Sequence, residues 1–317
     1  MPKLLILSRD ADEYMPLIKA ASLPGLDEIL SRPTDDCDIV LGEPKLLREN
    51  LAQLPNLKWA QAVYAGVEGL MDPALRRDYA LTNARGVFGE MMSEYVLSHL
   101  LFREKRIFQH YESQRSKRWQ RTESGMLRGK TMGLLGVGSI GSHLAGIAKH
   151  FGMTVHGYTR SSEPSAQVDK YFHPNSPLSP GERAEDEGLL AFARGLDYLV
   201  CILPRTNDTN KIVDADLLNA LPSHAIFINV GRGNAVDESA LVDALKEGKI
   251  AAAVLDVFDK EPVPENHPFW TTPNLLMTFH TSAISYPDDI TKLFIENYSL
   301  YIEGKPLKYQ VDFERGY

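Results

Sequence analysis

The stretch from Lys130 to Arg160, KTMGLLGVGSIGSHLAGIAKHFGMTVHGYTR, limits the fold more than any other part of the chain. A short apolar run, Met132 to Leu135, precedes a glycine fingerprint, Gly136-x-Gly138-x-x-Gly141. Ile140, Leu144, Ile147, Ala148 and Phe151 follow at helical spacing, and a second apolar run, Thr154 to Tyr158, comes next. This order predicts strand, tight turn, helix, strand. Gly136 permits a backbone conformation closed to residues with a Cβ. Gly138 lets the main chain approach a pyrophosphate, and Gly141 lets the helix pack on the strand. The helix begins at the turn, so its unpaired N–H groups and positive dipole end face the phosphates. In this context the fingerprint points to a bound dinucleotide.

The second strand ends at Tyr158-Thr159-Arg160-Ser161-Ser162. An NAD site usually has Asp or Glu there, accepting from the ribose 2′-hydroxyl. This chain has instead an arginine flanked by hydroxyls, which suits a 2′-phosphate. The expectation is NADP(H), with NAD(H) as the alternative.

A length of 317 residues suits two domains rather than one core. A net charge of −8 argues against nucleic acid or an anionic membrane as the main partner. No apolar run approaches the roughly 20 residues that span a bilayer. The first apolar run, Leu4 to Leu7, is followed at once by Arg9 and Asp10, so it reads as a strand and the protein as cytoplasmic. Cys37 and Cys201 read as buried free thiols in a reducing compartment.

Strands alternate with helices on both sides of the fingerprint, which predicts parallel sheets. Glu90 to about Gln114 reads as one long helix. Ser161 to Gly188, rich in Pro, Ser and charge, reads as a loop. A helix from Asp288 is expected to return to the first domain. The boundaries are 1–98 with 285–317 for a substrate domain, and 99–284 for a nucleotide domain. Parallel sheets bind ligands at the C-terminal ends of their strands. Those ends offer Gly66-Val67, Gly231-Arg232, Asp256 with Glu261 close behind, and His280.

INVGRGNAVDE (Ile228 to Glu238), LDVFDKEP (Leu255 to Pro262) and FHTSA (Phe279 to Ala283) resemble the three signatures of the D-isomer-specific 2-hydroxyacid dehydrogenases. LRGKTMGLLGVGSIG resembles that family's nucleotide fingerprint. Tyr158 to Ser161 and the ending Val311 to Tyr317 are most similar to the glyoxylate and hydroxypyruvate reductase branch. The resemblance implies an α/β protein of two doubly wound parallel sheets, a Rossmann nucleotide domain and a flavodoxin-like substrate domain.

It also implies roles. Arg232 presents a planar fork to the carboxylate and carbonyl of a 2-oxo acid. His280 gives a proton to the carbonyl oxygen as hydride arrives on carbon, and Glu261 fixes its tautomer. Asp256 accepts from the nicotinamide carboxamide. Ala65, Gly66 and Val67 offer backbone N–H groups to the substrate carboxylate. The cofactor contacts are Gly136, Gly138, Ser139, Ile140, Gly141, Thr159, Arg160, Ser161, Pro204, Thr209, Val230, Gly231, Arg232, Asp256, His280, Ser282 and Met92. Met92 stands where the family usually has a smaller residue. The implied activity is NADPH-dependent reduction of a small 2-oxo acid to the D-2-hydroxy acid by a homodimer that needs no metal. Glyoxylate or hydroxypyruvate is the first expectation. The alternatives are a dehydrogenase of another acid, such as formate or 3-phosphoglycerate, and an NAD(P)H-sensing binding protein or corepressor on the same fold. Trp270, Tyr64 and Tyr286 are candidate pocket walls.

Overall fold

The computed structural model describes residues 2–26, 28–160, 162–174 and 187–316. In chain order its elements are β1 (Lys3–Leu7), α1 (Ala11–Ala20), β2 (Glu28–Leu30), β3 (Ile39–Gly42), α2 (Pro44–Asn50), β4 (Trp59–Ala62), β5 (Ala80–Thr82), α3 (Gly89–Glu104) and α4 (Ile107–Arg115). There follow β6 (Thr131–Leu135), α5 (Ser139–His150), β7 (Thr154–Tyr158), β8 (Lys170–Phe172), α6 (Glu187–Ala193), β9 (Tyr198–Cys201) and α7 (Ala215–Ala220). The last elements are β10 (Ile226–Asn229), α8 (Glu238–Lys246), β11 (Ala252–Leu255), β12 (Leu275–Met277) and α9 (Pro287–Ile302). Two units emerge, Met1–Val87 with Ile284–Tyr317, and Phe88–Ala283.

The first unit carries a parallel sheet in the order β2-β1-β3-β4-β5. That is the flavodoxin-like order. Ile39, Val40 and Leu41 of β3 are all fully buried, as a strand covered on both faces requires. Helix α9 belongs to this unit, as the sequence predicts. Its Phe294 stacks on Trp59 at 5.1 Å, and its Asn297 side chain donates to Gln61 Oε1 at 3.0 Å. Both polar partners are wholly buried and satisfied, so the contact carries no desolvation penalty for an unpaired group.

The second unit holds a seven-stranded parallel sheet, β12-β11-β10-β9-β6-β7-β8. The chain builds outward from β6 to β8, then crosses to β9 and builds the other way. The switch point therefore lies between β6 and β9, and the glycine turn follows β6. Phe192, Leu196, Leu199, Phe227 and Leu241 fill the core beneath it.

Three expectations need correction. The long helix from Glu90 to Gln114 is two helices, because Arg106 takes a left-handed conformation (φ 52°) between them. α3 buries Met92, Val96, Leu97 and Leu100, whereas α4 buries nothing, so no packing holds a common axis. The stretch expected as loop from Ser161 contains β8, an edge strand of three residues too short to show a period. The rest of that stretch lies partly outside the described residues. β2, another three-residue edge strand, is also absent from the sequence reading.

Candidate active site

The fingerprint turn is built as its glycines require. Gly136 sits at φ 101°, and a Cβ on Gly141 would lie 2.6 Å from the Gly136 carbonyl oxygen. Only glycine lets α5 start this close to the end of β6. A Cβ at Gly138 would meet nothing within 4 Å, so the N-terminal end of α5 opens onto free space. No side chain caps that end, and among the described residues none accepts from the N–H groups of Ser139, Ile140 or Gly141. These unsatisfied donors fit a pyrophosphate.

At the end of β7, Thr159 is buried and donates its hydroxyl to the Ser162 carbonyl at 2.5 Å. Arg160 is exposed and pairs with Asp208 at 2.6 Å. Ser161 lies outside the described residues. His173, beyond β8, meets the Thr159 carbonyl at 3.0 Å and Glu163 at 3.3 Å. Its place beside Thr159 has no signal in the sequence.

Beyond β9, the Thr209 hydroxyl donates to the Pro204 carbonyl at 2.7 Å and accepts from the Thr206 N–H at 3.0 Å. These bonds fix the turn that carries Pro204. Beyond β10, Val230 is buried and Arg232 lies between two glycines in close quarters. A Cβ on Gly231 would lie 2.6 Å from the Leu203 carbonyl oxygen, and one on Gly233 only 1.8 Å from the Phe258 carbonyl carbon. Asn229 completes the turn: its side chain donates to the Arg232 carbonyl at 3.0 Å and accepts from the Gly231 N–H at 3.1 Å. Asn229 is wholly buried and was not singled out from the sequence. A polar residue closing an apolar strand was its one signal.

Beyond β12, His280 Nδ1 lies 2.9 Å from Glu261 Oε2. The other carboxylate oxygen, Oε1, accepts from the Phe258 N–H at 2.9 Å, so Glu261 is held while it holds the imidazole. Opposite a carboxylate, Nδ1 carries the proton. His280 takes a left-handed backbone conformation, φ 57°. Asp256 is wholly buried. Its Oδ1 accepts from the Thr281 N–H at 2.8 Å and the Thr278 hydroxyl at 2.5 Å, and its Oδ2 from the Ser282 N–H at 2.9 Å. Burial alone would push this carboxyl up. The Ser282, Thr278 and Thr281 donors outweigh it and hold the group below the usual carboxylate range. Met92 is buried on α3.

In the first unit, the loop after β4 carries Ala65, Gly66 and Val67. Asn83 donates to the Ala65 carbonyl at 2.8 Å, and the Val67 carbonyl accepts from Leu70 at 2.8 Å. Among the described residues none accepts from the N–H groups of Gly66 or Val67.

A dinucleotide turn after β6 of a Rossmann sheet, with an imidazole–carboxylate pair beyond β11 and β12, three and four strands away, is the arrangement of a nucleotide-dependent dehydrogenase. The sequence profile of the D-isomer specific 2-hydroxyacid dehydrogenase NAD binding domain matches residues 97–282. A glyoxylate/hydroxypyruvate reductase A from Yersinia enterocolitica is 31% identical over 277 residues, 85% of each chain. A crystal structure of a D-isomer specific 2-hydroxyacid dehydrogenase family protein from Aeromonas salmonicida superposes with a TM-score of 0.88 at 40% identity, covering 98% of this chain and 99% of that one. Another, a D-isomer specific 2-hydroxyacid dehydrogenase from Xanthobacter autotrophicus in complex with NADPH and MES, gives 0.85 at 30% identity, covering 100% and 99%. The chain belongs to the D-isomer specific 2-hydroxyacid dehydrogenase family.

Proposed function

We propose that this protein is an NADPH-dependent reductase of small 2-oxo acids that forms the D-2-hydroxy acid, with glyoxylate or hydroxypyruvate as substrate. The His280–Glu261 pair at 2.9 Å carries the reading. With Nδ1 committed to Glu261, Nε2 is the atom that gives the proton to the substrate carbonyl oxygen. Glu261 fixes the ring so that Nε2 faces the substrate. The guanidinium of Arg232 meets the carboxylate and the developing alkoxide. The N–H groups of Ala65, Gly66 and Val67 take the substrate carboxylate on the family resemblance. When bound, NADPH supplies the hydride. The open N-terminal end of α5 takes its pyrophosphate and Arg160 its 2′-phosphate, while Thr159, whose hydroxyl and N–H are committed to the Ser162 and Phe172 carbonyls, shapes the turn instead of donating to the phosphate. Ser139, Ile140, Pro204, Thr209, Val230, Gly231, Ser282 and Met92 line it. The relatives named above support both the cofactor and the substrate: one is a glyoxylate/hydroxypyruvate reductase, and another holds NADPH.

The reading includes a cytoplasmic homodimer. Cys37 and Cys201 are free and buried, which suits a reducing compartment, and no described helix is long and apolar enough to cross a membrane. In the second unit Phe102, Ile107, Phe108, Tyr111 and Trp119 are exposed, Trp119 to 97%. Exposed large apolar side chains, close together in sequence from Phe102 to Trp119, suit burial against a second copy.

The test is a panel of 2-oxo acids assayed with NADPH and with NADH. Turnover of glyoxylate or hydroxypyruvate, faster with NADPH, is expected. His280→Ala lowers kcat by about 100- to 10,000-fold with NADPH affinity little changed. Equal turnover in that variant removes the mechanism.

A further inference from the structure

His280 is not glycine, yet its backbone is left-handed. That conformation is strained for an L-residue and persists only where the surroundings over-determine it. One residue does so here. The Asp256 carbonyl accepts from the His280 N–H at 2.8 Å, and its two carboxylate oxygens accept from the next two N–H groups, at Thr281 and Ser282. Three successive donors of the catalytic loop converge on Asp256, which itself hangs from the Asn229 carbonyl through its own N–H at 3.0 Å.

The carboxylate has one more support. Thr278 donates its hydroxyl to Oδ1, and Tyr95 on α3 lies 2.6 Å from the same hydroxyl. The direction of this chain is fixed by chemistry. A carboxylate only accepts, so the single Thr278 hydrogen points to Asp256, and Tyr95 must donate to Thr278. Burial pushes the Tyr95 phenol up to about 12, so it keeps its proton at every working pH. Tyr95 is also braced by the His99 ring, edge-on at 4.5 Å.

We propose that Tyr95 and Thr278 act through Asp256 as positioning residues for His280, holding the imidazole in register with Glu261. This rests on the dehydrogenase reading above and extends it to α3. Rotation of the Asp256 carboxylate would release the Thr281 and Ser282 N–H groups together, and the left-handed residue before them would relax. A general acid displaced by about 1 Å loses about 100-fold in rate.

The experiment compares Thr278→Val, Thr278→Ser and Tyr95→Phe with wild type. Thr278→Val should lower kcat by about 10- to 100-fold. Thr278→Ser, which keeps the hydroxyl, should restore most of it. Tyr95→Phe, nearly isosteric, should lose about 3- to 10-fold, one polarising hydrogen bond. NADPH affinity, titrated by fluorescence without substrate, should fall by a smaller factor than kcat in all three, because the loop meets the cofactor through Ser282 and Asp256 while the phosphate donors lie elsewhere. Equal losses in the serine and valine variants, a loss confined to NADPH affinity, or unchanged kcat in Tyr95→Phe overturns the proposal. Amide hydrogen exchange at Thr281 and Ser282 separates it from the activity itself. Faster exchange in Thr278→Val is expected even if wild type reduced no 2-oxo acid, and unchanged exchange overturns the proposal in either case.

Discussion

Arg160 and Asp208 meet at 2.6 Å with their side chains 61% and 73% exposed. An exposed pair of this kind is worth about 0–1 kcal/mol, far less than a guanidinium–phosphate contact. The carboxylate is therefore a weak competitor for the group that would read the 2′-phosphate. Arg160→Ala should raise the KM for NADPH by about 10-fold or more while that for NADH changes little. Asp208→Asn should lower the KM for NADPH by about 2- to 5-fold. Steady-state kinetics with both cofactors checks the two together, and an unchanged NADPH to NADH ratio in Arg160→Ala shows that Arg160 does not select the phosphate. Residues that lie in local motifs were legible from the chain alone: the fingerprint glycines, Arg232 between its glycines, and His280 at a strand end. The supports were not. Tyr95 reads as one apolar position in a helical pattern, and its partner Thr278 is 183 positions away. Only the folded sheet brings the two hydroxyls together, and Asn229 was hidden in the same way by a turn it shapes with its own side chain.

Among elements, the strand ends opposite the site have their own anchor. Asp197 precedes β9 and accepts from the Lys130 ammonium at 2.8 Å, the Thr131 N–H at 2.8 Å and His224 Nε2 at 3.0 Å. It thus ties the start of β6 to β9. Burial would raise its carboxyl, but the Lys130 ammonium, the Thr131 N–H and His224 outweigh it, and the group sits below the usual carboxylate range. A depressed carboxyl contributes stability above its unfolded value, near 3.8, and that stability is lost as pH falls through the lower folded value. Asp197→Asn should therefore cost about 1–3 kcal/mol at neutral pH, and the gap to wild type should shrink on acidification below about pH 4. Urea midpoints at pH 7 and pH 3 measure this, and an equal gap at both rules the assignment out. At this scale the apolar strands were readable because buried parallel strands are continuous apolar runs. β2 and β8 were not: each opens on a charged residue, Glu28 or Lys170, and carries no apolar run, unlike the equally short edge strands β5 and β12. The break at Arg106 escaped because helical spacing continues through it, and its left-handed backbone leaves no mark in the sequence.

For the whole molecule, the exposed ring cluster on α4 and beyond is the feature that a lone copy leaves in water. Phe108 and Trp119 are 56% and 97% exposed. Large aromatic side chains dominate the energy of protein interfaces, at about 2 kcal/mol or more for each anchor. If the proposed homodimer forms through this surface, a Phe108→Ala, Trp119→Ala double variant should sediment and scatter light as a monomer where the wild type does so as a dimer. Retention of the dimer would put the interface elsewhere. Parallel sheets were legible because strands and helices alternate, the doubly wound form came from the family resemblance, and the return of α9 followed from the place of the nucleotide unit in the chain.

The first unit is built from two stretches far apart in sequence, residues 1–87 and 284–317, with Trp59 stacked on Phe294 and Gln61 bonded to Asn297. During synthesis, residues 1–87 leave the ribosome long before residues 284–317 exist. Until α9 is translated, the indole face of Trp59 lacks the Phe294 and Tyr301 rings that cover it, and Gln61 Oε1 has Thr82 but not Asn297 as a donor. The unit formed by Phe88–Ala283 is continuous and meets no such delay. The order of maturation therefore runs from the middle outward, and the nascent amino-terminal sheet is the part most exposed to misassociation while it waits.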